Sequence, residues 1–128
     1  MFFFVDNTTT DKIVFFVSSD GKVWREHVFA SLNEGDLEKS FNQVLQTEKI
    51  DFDDVSGIAV RVGAGRFTAT RLAVTFVNTL ALSLQIPVIS TISADTAGLL
   101  EKIKDSPVGV YASAIYSAEP RIGGVNDK

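Results

Sequence analysis

Residues 55–73 read VSGIAVRVGAGRFTATRLA, and the fold turns on how this stretch divides. Residues 55–62 are an apolar run with a single charge, Arg61, as a buried strand carries. Gly63 and Gly65 then punctuate a short turn. The apolar residues that follow recur at helical spacing from about residue 69 to residue 85, where Pro87 forbids continuation. A strand, a glycine-rich turn and a helix expose backbone N–H groups at a helix N-terminus, which is a ready anion site.

Working outward, residues 1–6 (MFFFVD) form a nearly continuous apolar run, the pattern of a central strand buried on both faces. Residues 12–18 (KIVFFVS) predict a second strand, a turn around Asp20-Gly21 follows, and residues 23–29 (VWREHVF) predict a more exposed third. Asn33 or Asp36 caps a first helix to about residue 47, with Leu37, Phe41, Val44 and Leu45 on one face. Residues 49–56 are a polar loop. Residues 87–91 (PVIST) form a fifth strand, Ser93 caps a third helix to about residue 104, and residues 108–116 (VGVYASAIY) look strand-like before a charged, glycine-containing tail. The order β-β-β-α-β-α-β-α predicts an α/β fold with a mixed five-stranded sheet and helices packed on it. It fits the ribonuclease-H-like lobe of actin-like ATPases, in which strands one and four are parallel neighbours. The loops after Asp6 and Val62 then share the sheet edge where open α/β sheets bind ligands.

The 128 residues predict one domain with a real core. Twelve Lys and Arg against sixteen Asp and Glu give a net charge of −4, which argues against a general nucleic-acid binder. The absence of cysteine removes disulfides, thiolate nucleophiles and zinc ribbons, and one histidine, His27, disfavours a catalytic triad or a His-x-x-x-His metal site. Residues 1–5 have no basic segment before them, so a signal peptide is not expected and the protein is placed in the cytoplasm. Residues 72–94 lack charge, but Pro87 limits any helix there to about 15 residues, short of the ~20 a bilayer requires.

Several residues could carry chemistry. Gly63 and Gly65 reach backbone conformations that other residues avoid, and Thr68 is a candidate cap. Arg71 sits in the first helical turn, where a cation opposes the helix dipole, with Arg66 just before it. Such a placement suggests an anion, phosphate or carboxylate; the alternative is a structural pair of Arg71 with Asp6. Asp6 and Thr8, in Asp6-Asn7-Thr8-Thr9, complete the candidate anion or nucleotide contact. The turn is not a P-loop, because Gly-Lys-Ser/Thr is absent. A two-metal nuclease is disfavoured, since no further acids converge on Asp6, so no catalytic and no metal-binding residue is assigned. Trp24, Glu26 and His27 read as ordinary edge-strand residues.

The second helix is too apolar for a surface helix. At about 100° per residue, Leu72, Ala73, Val74, Phe76, Val77, Leu80, Ala81 and Leu84 cover roughly 200° of its circumference, against about 100° for a surface helix. Either the other helices cover it within the domain, or the part outside the sheet-facing arc packs on a partner.

Gly63-Ala64-Gly65-Arg66-Phe67-Thr68-Ala69-Thr70-Arg71-Leu72-Ala73 resembles the Gly-Pro-Gly-Ser-Phe-Thr-Gly-Leu-Arg-Ile-Gly signature of the TsaB (YeaZ-like) family in Gly, Gly, Phe-Thr and Arg. Asp6-Asn7-Thr8-Thr9 is similar to the family's opening Asp-Thr-Ser/Thr. Residues 80–88 (LALSLQIPV) resemble its Gly-Leu-Ala-x-x-Leu-Gly-Ile-Pro-Val, and Tyr116 with Glu119-Pro120 is similar to its Tyr-x-x-x-Pro ending. Ala64, Arg66 and Ala69 depart from the family pattern, as does Ser31-Leu32-Asn33-Glu34, which keeps only the acid. The resemblance implies a single TsaB-like N-terminal lobe over residues 1–105, with a strand-like segment and C-terminal tail over 106–128.

The family belongs to the bacterial machinery that makes threonylcarbamoyladenosine in tRNA, and its members support the catalytic subunit TsaD without its metal histidines. The resemblance therefore implies a non-catalytic subunit that binds a TsaD-like partner, with a TsaE-like ATPase as a further partner and tRNA met only indirectly. It places the partner interface on Leu37, Phe41, Leu72, Phe76, Thr79, Leu80 and Ser83. Family members usually have two lobes, so an ATP or ADP site with magnesium would need a partner interface. The alternatives are a nucleotide-binding, ATPase-like homodimer and a homo-oligomeric module that has lost the modification role.

Overall fold

The computed structural model describes residues 1–9, 11–30, 35–63 and 67–113. Strands β1 (Phe2–Asp6), β2 (Lys12–Ser18) and β3 (Arg25–Ala30) precede helix α1 (Asp36–Glu48); β4 (Gly57–Arg61), α2 (Phe67–Leu84), β5 (Val88–Thr91) and α3 (Leu99–Asp105) follow. The five strands form one sheet in the order β3-β2-β1-β4-β5. The β1–β2 and β2–β3 pairs are antiparallel, whereas β1–β4 and β4–β5 are parallel. This is the predicted mixed α/β arrangement, with β1 and β4 as parallel neighbours.

The apolar run of β1 is central because it is covered twice: Phe3 and Phe4, on opposite faces, are both fully buried. On one face, Phe3, Phe15, Ile58 and Val60 pack under α1 and α2. Phe41 is the hub of that core, with its ring 5.2 Å from Phe3, 6.1 Å from Phe15 and 5.3 Å from Phe76. On the other face, Leu99 and Ile103 of α3 pack on Phe4 and Ala59. Gly57 permits that contact, since a Cβ there would stand 2.5 Å from Ile103 Cγ2.

The element ends differ from expectation in ways that local hydrogen bonding explains. Helix α1 begins at Asp36 with Gly35 at the cap position, so Asp36 is its first residue; Asn33 lies outside the described residues. Asp36 and Glu38 still place negative charge in the first turn, where the helix dipole favours it. Within the predicted polar loop, Phe52–Asp54 form a 3₁₀ turn. Helix α3 starts at Leu99, well after Ser93. The Ser93 hydroxyl accepts from the Asp95 N–H at 3.0 Å and Asp95 Oδ1 accepts from the Ala97 N–H at 2.9 Å, which makes consecutive turns instead of a cap. No strand occurs over residues 107–113, where Gly109 has φ 95° and no neighbouring strand pairs; the rest of that predicted segment lies outside the described residues. Among the described residues, no helix is long and apolar enough to cross a membrane.

Candidate functional site

The candidate site lies where β1 and β4 end beside the N-terminus of α2. Asp6, Asn7 and Thr8 are all buried. Asp6 Oδ1 accepts from the Thr8 backbone N–H at 3.0 Å and from the Thr8 hydroxyl at 2.6 Å, which closes the tight turn out of β1. Asp6 Oδ2 accepts from Arg61 Nη1 at 3.1 Å, and the same nitrogen lies 3.3 Å from Thr8 Oγ1. Parallel pairing sets this contact, because Val5 opposite Val60 brings the next residues, Asp6 and Arg61, side by side. Asn7 Nδ2 donates to the Ala69 carbonyl at 3.0 Å and so ties the end of β1 to the first turn of α2.

The cation paired with Asp6 is therefore Arg61 from β4, in place of the Arg71 considered from sequence. Arg61 was missed as a partner although it is the only charge in its strand. The parallel register was the available signal.

The predicted anion contact divides in two. Asp6 and Thr8 belong to the buried lock just described. Thr68 and Arg71 are exposed on α2 and line an open cavity of about 190 Å³ with Leu72 and Thr75. Thr68 is the second residue of α2, so it does not cap the helix. Gly63 has φ 82°, the left-handed conformation that the turn demands of it; Gly65 lies outside the described residues. Asn7 Oδ1 and Arg61 Nε are buried without a hydrogen-bond partner. A magnesium–nucleotide does not fit the lock: Asp6 is already paired with a cation, and no cluster of three or more His, Cys, Asp or Glu occurs among the described residues.

The residues expected at a partner interface also separate. Leu37, Phe41 and Leu80 are buried in the main core and cannot reach a partner. Leu72 and Phe76 are half-buried, and the Phe76 ring packs edge-on against Phe41. Thr79 and Ser83 face outward. Together with Thr75 and Leu82, which is 57% exposed, they form an uncharged stripe along α2. The Thr79 hydroxyl donates to the Thr75 carbonyl at 2.8 Å, so its proton is satisfied within the helix. Most of the apolar excess of α2 is thus absorbed by α1 and the sheet, and this stripe remains.

At the far end of α1, Glu48 ties β3 to the helix. Arg25 Nε lies 3.0 Å from each Glu48 oxygen and Nη2 lies 2.7 Å from Oε1, while His27 Nε2 lies 2.7 Å from Oε2. The Arg25 hydrogen bonds hold the Glu48 carboxyl below its ordinary pKa against the opposing effect of burial, and His27 adds to them. This cluster fixes the edge strand, as Trp24 does locally through its Nε1 bond to the Gly21 carbonyl at 3.1 Å.

A family model described as "TsaD: tRNA N6-adenosine threonylcarbamoyltransferase" matches residues 34–117, more than half of the chain. Among solved structures, YeaZ from Pseudomonas aeruginosa is 26% identical with a TM-score of 0.62, the match covering 70% of this chain and 42% of that one. A structure from the same organism, described as an uncharacterized protein with similarity to peptidase YEAZ, is 24% identical with a TM-score of 0.62 and the same coverage. The chain thus spans less than half the length of either structure. No curated protein matches it. The TsaB-like resemblance and the actin-like, ribonuclease-H-like fold expected from sequence are borne out.

Proposed function

Because the chain belongs to the TsaD family, we propose that it is a non-catalytic, TsaB-like subunit of the machinery that makes threonylcarbamoyladenosine in tRNA. It docks a TsaD-like catalytic subunit through the outward face of α2. The observation that carries this reading is the uncharged stripe of Thr75, Thr79, Leu82 and Ser83, with Leu82 57% exposed. A long surface helix ordinarily carries charge on its outer face; this one has none after Arg71. A TsaE-like ATPase and the tRNA would meet the assembly through the TsaD-like partner. The non-catalytic role is supported by the state of Asp6, whose carboxylate is engaged by Thr8 and Arg61. Sedimentation of the chain mixed with a TsaD-like protein tests the reading. A faster-sedimenting complex of the two is expected, and two independent boundaries would refute it.

A second reading has an observation of its own. Thr68 and Arg71 line an open cavity of about 190 Å³ at the start of α2, where an anion would gain from the helix dipole. That would suit a nucleotide-binding homodimer. Such a dimer should gain thermal stability with ATP by mass action, and the partner-binding subunit should not.

A further inference from the structure

Asn78 sits near the middle of the α2 outer stripe, where asparagine is a weak helix former. Its primary amide can present one N–H and its oxygen in the geometry of a peptide group, and both engage a residue 34 positions away. Asn78 Nδ2 donates to the Ala112 carbonyl at 2.9 Å, and the Ala112 N–H donates to Asn78 Oδ1 at 2.9 Å. The Ala112 side chain packs against the main core. Tyr111 forms one wall of an open groove of about 350 Å³ whose other walls are Thr75, Asn78, Thr79 and Leu82. The chain after α3 therefore crosses the same stripe that is left after α1 and the sheet have covered the rest of α2.

Among the described residues, little else holds this segment. Residues 107–113 join no strand, and Val108, Val110 and Tyr111 are 49%, 56% and 43% exposed. A half-buried asparagine left without partners would cost free energy, so the paired state is favoured in the isolated chain. With one two-point clamp and few buried apolar contacts, the segment belongs to the low-stability part of the fold.

We infer that residues 110–113 are a displaceable strap: they occupy the centre of the α2 face, and a partner docks there only when the Asn78–Ala112 clamp opens. This inference rests on the α2 face being the docking surface for the TsaD-like subunit. Strap and partner then compete for one site, and the apparent affinity is the intrinsic affinity reduced by the fraction of molecules with the strap open.

Ala112→Pro tests this in the full chain, since proline removes the Ala112 N–H and leaves every residue of the α2 face unchanged. The Asn78 side-chain amide resonances in nitrogen–proton spectra report whether the clamp is open, and circular dichroism reports that the fold is retained. Binding to a TsaD-like protein is measured by titration calorimetry for both chains. If the strap is seated in nine molecules of ten, Ala112→Pro binds about tenfold more tightly. Asn78→Ala opens the clamp from the opposite side and, because it also trims one residue of the docking face, is expected to gain affinity in the same direction but by less. Unchanged or weaker binding with the clamp shown open overturns the strap and leaves the docking reading intact. A wild-type complex that keeps the Asn78–Ala112 pairing also overturns it. Binding by none of the chains overturns the docking reading itself, and the strap's role as a gate falls with it.

Discussion

Arg61 and Asp6 meet because two parallel strands end in step, and their pairing removes both charges from a site that sequence presents as open. Arg61→Met leaves the Asp6 carboxylate buried with only the Thr8 hydroxyl and N–H as donors. Urea denaturation should show a loss of about 2–3 kcal/mol. Adding Asp6→Asn should recover part of it, and a neutral Arg61→Met would mean that the pair contributes nothing. Glu48 gives a pH signature whose sign follows from its lowered pKa. The stabilisation it supplies is present above the ordinary glutamate pKa of about 4.3 and is lost as pH falls through the lower folded value. The Tm gap between wild type and Glu48→Gln should therefore be fully open at about pH 6 and narrow progressively as pH falls below the ordinary glutamate range. A gap that widens toward acid would contradict this origin. Asp6 is legible in the sequence as a strand-end carboxylate, whereas its partner depends on which strand lies beside it and in what register. Helix position makes Arg71 a candidate, but strand register decides the contact.

At the scale of elements, sequence patterns worked where burial is one-sided or total. The β2 run alternates Ile13, Phe15 and Val17 inward, and the α1 face of Leu37, Phe41, Val44 and Leu45 is the buried one. They worked less well where a polar side chain had two local uses. Ser93 can cap a helix or close a turn, and here it closes a turn because Leu99, Leu100 and Ile103 are the buried residues that anchor α3. Gly57 reads in the sequence as one more strand residue, yet it sets how closely α3 approaches β4. Gly57→Ala should cost about 1–3 kcal/mol through overpacking against Ile103, measured by thermal unfolding. Phe41→Ala should cost about 3–5 kcal/mol, because that ring joins β1, β2 and α2 into one core. Near-wild-type stability of either variant would mean the packing can relax around the change.

Across the molecule, the helical periodicity of α2 correctly signals an excess of apolar surface but cannot say what covers it. The direction in which α1 lies over the sheet decides that, and it places Leu80 in the core and leaves Leu82 outside. Leu80→Asp, a reasonable test of a partner face from the helical wheel alone, would instead bury a carboxylate and unfold the chain. Leu82→Arg adds a charge at an exposed position and should leave stability within about 0.5 kcal/mol of wild type. Calorimetric titration of wild type and Leu82→Arg against a TsaD-like protein is the most direct measurement of whether α2 is a docking surface. Binding by wild type and its loss in a Leu82→Arg chain of unchanged Tm is the expected result; equal binding by the two chains would contradict it.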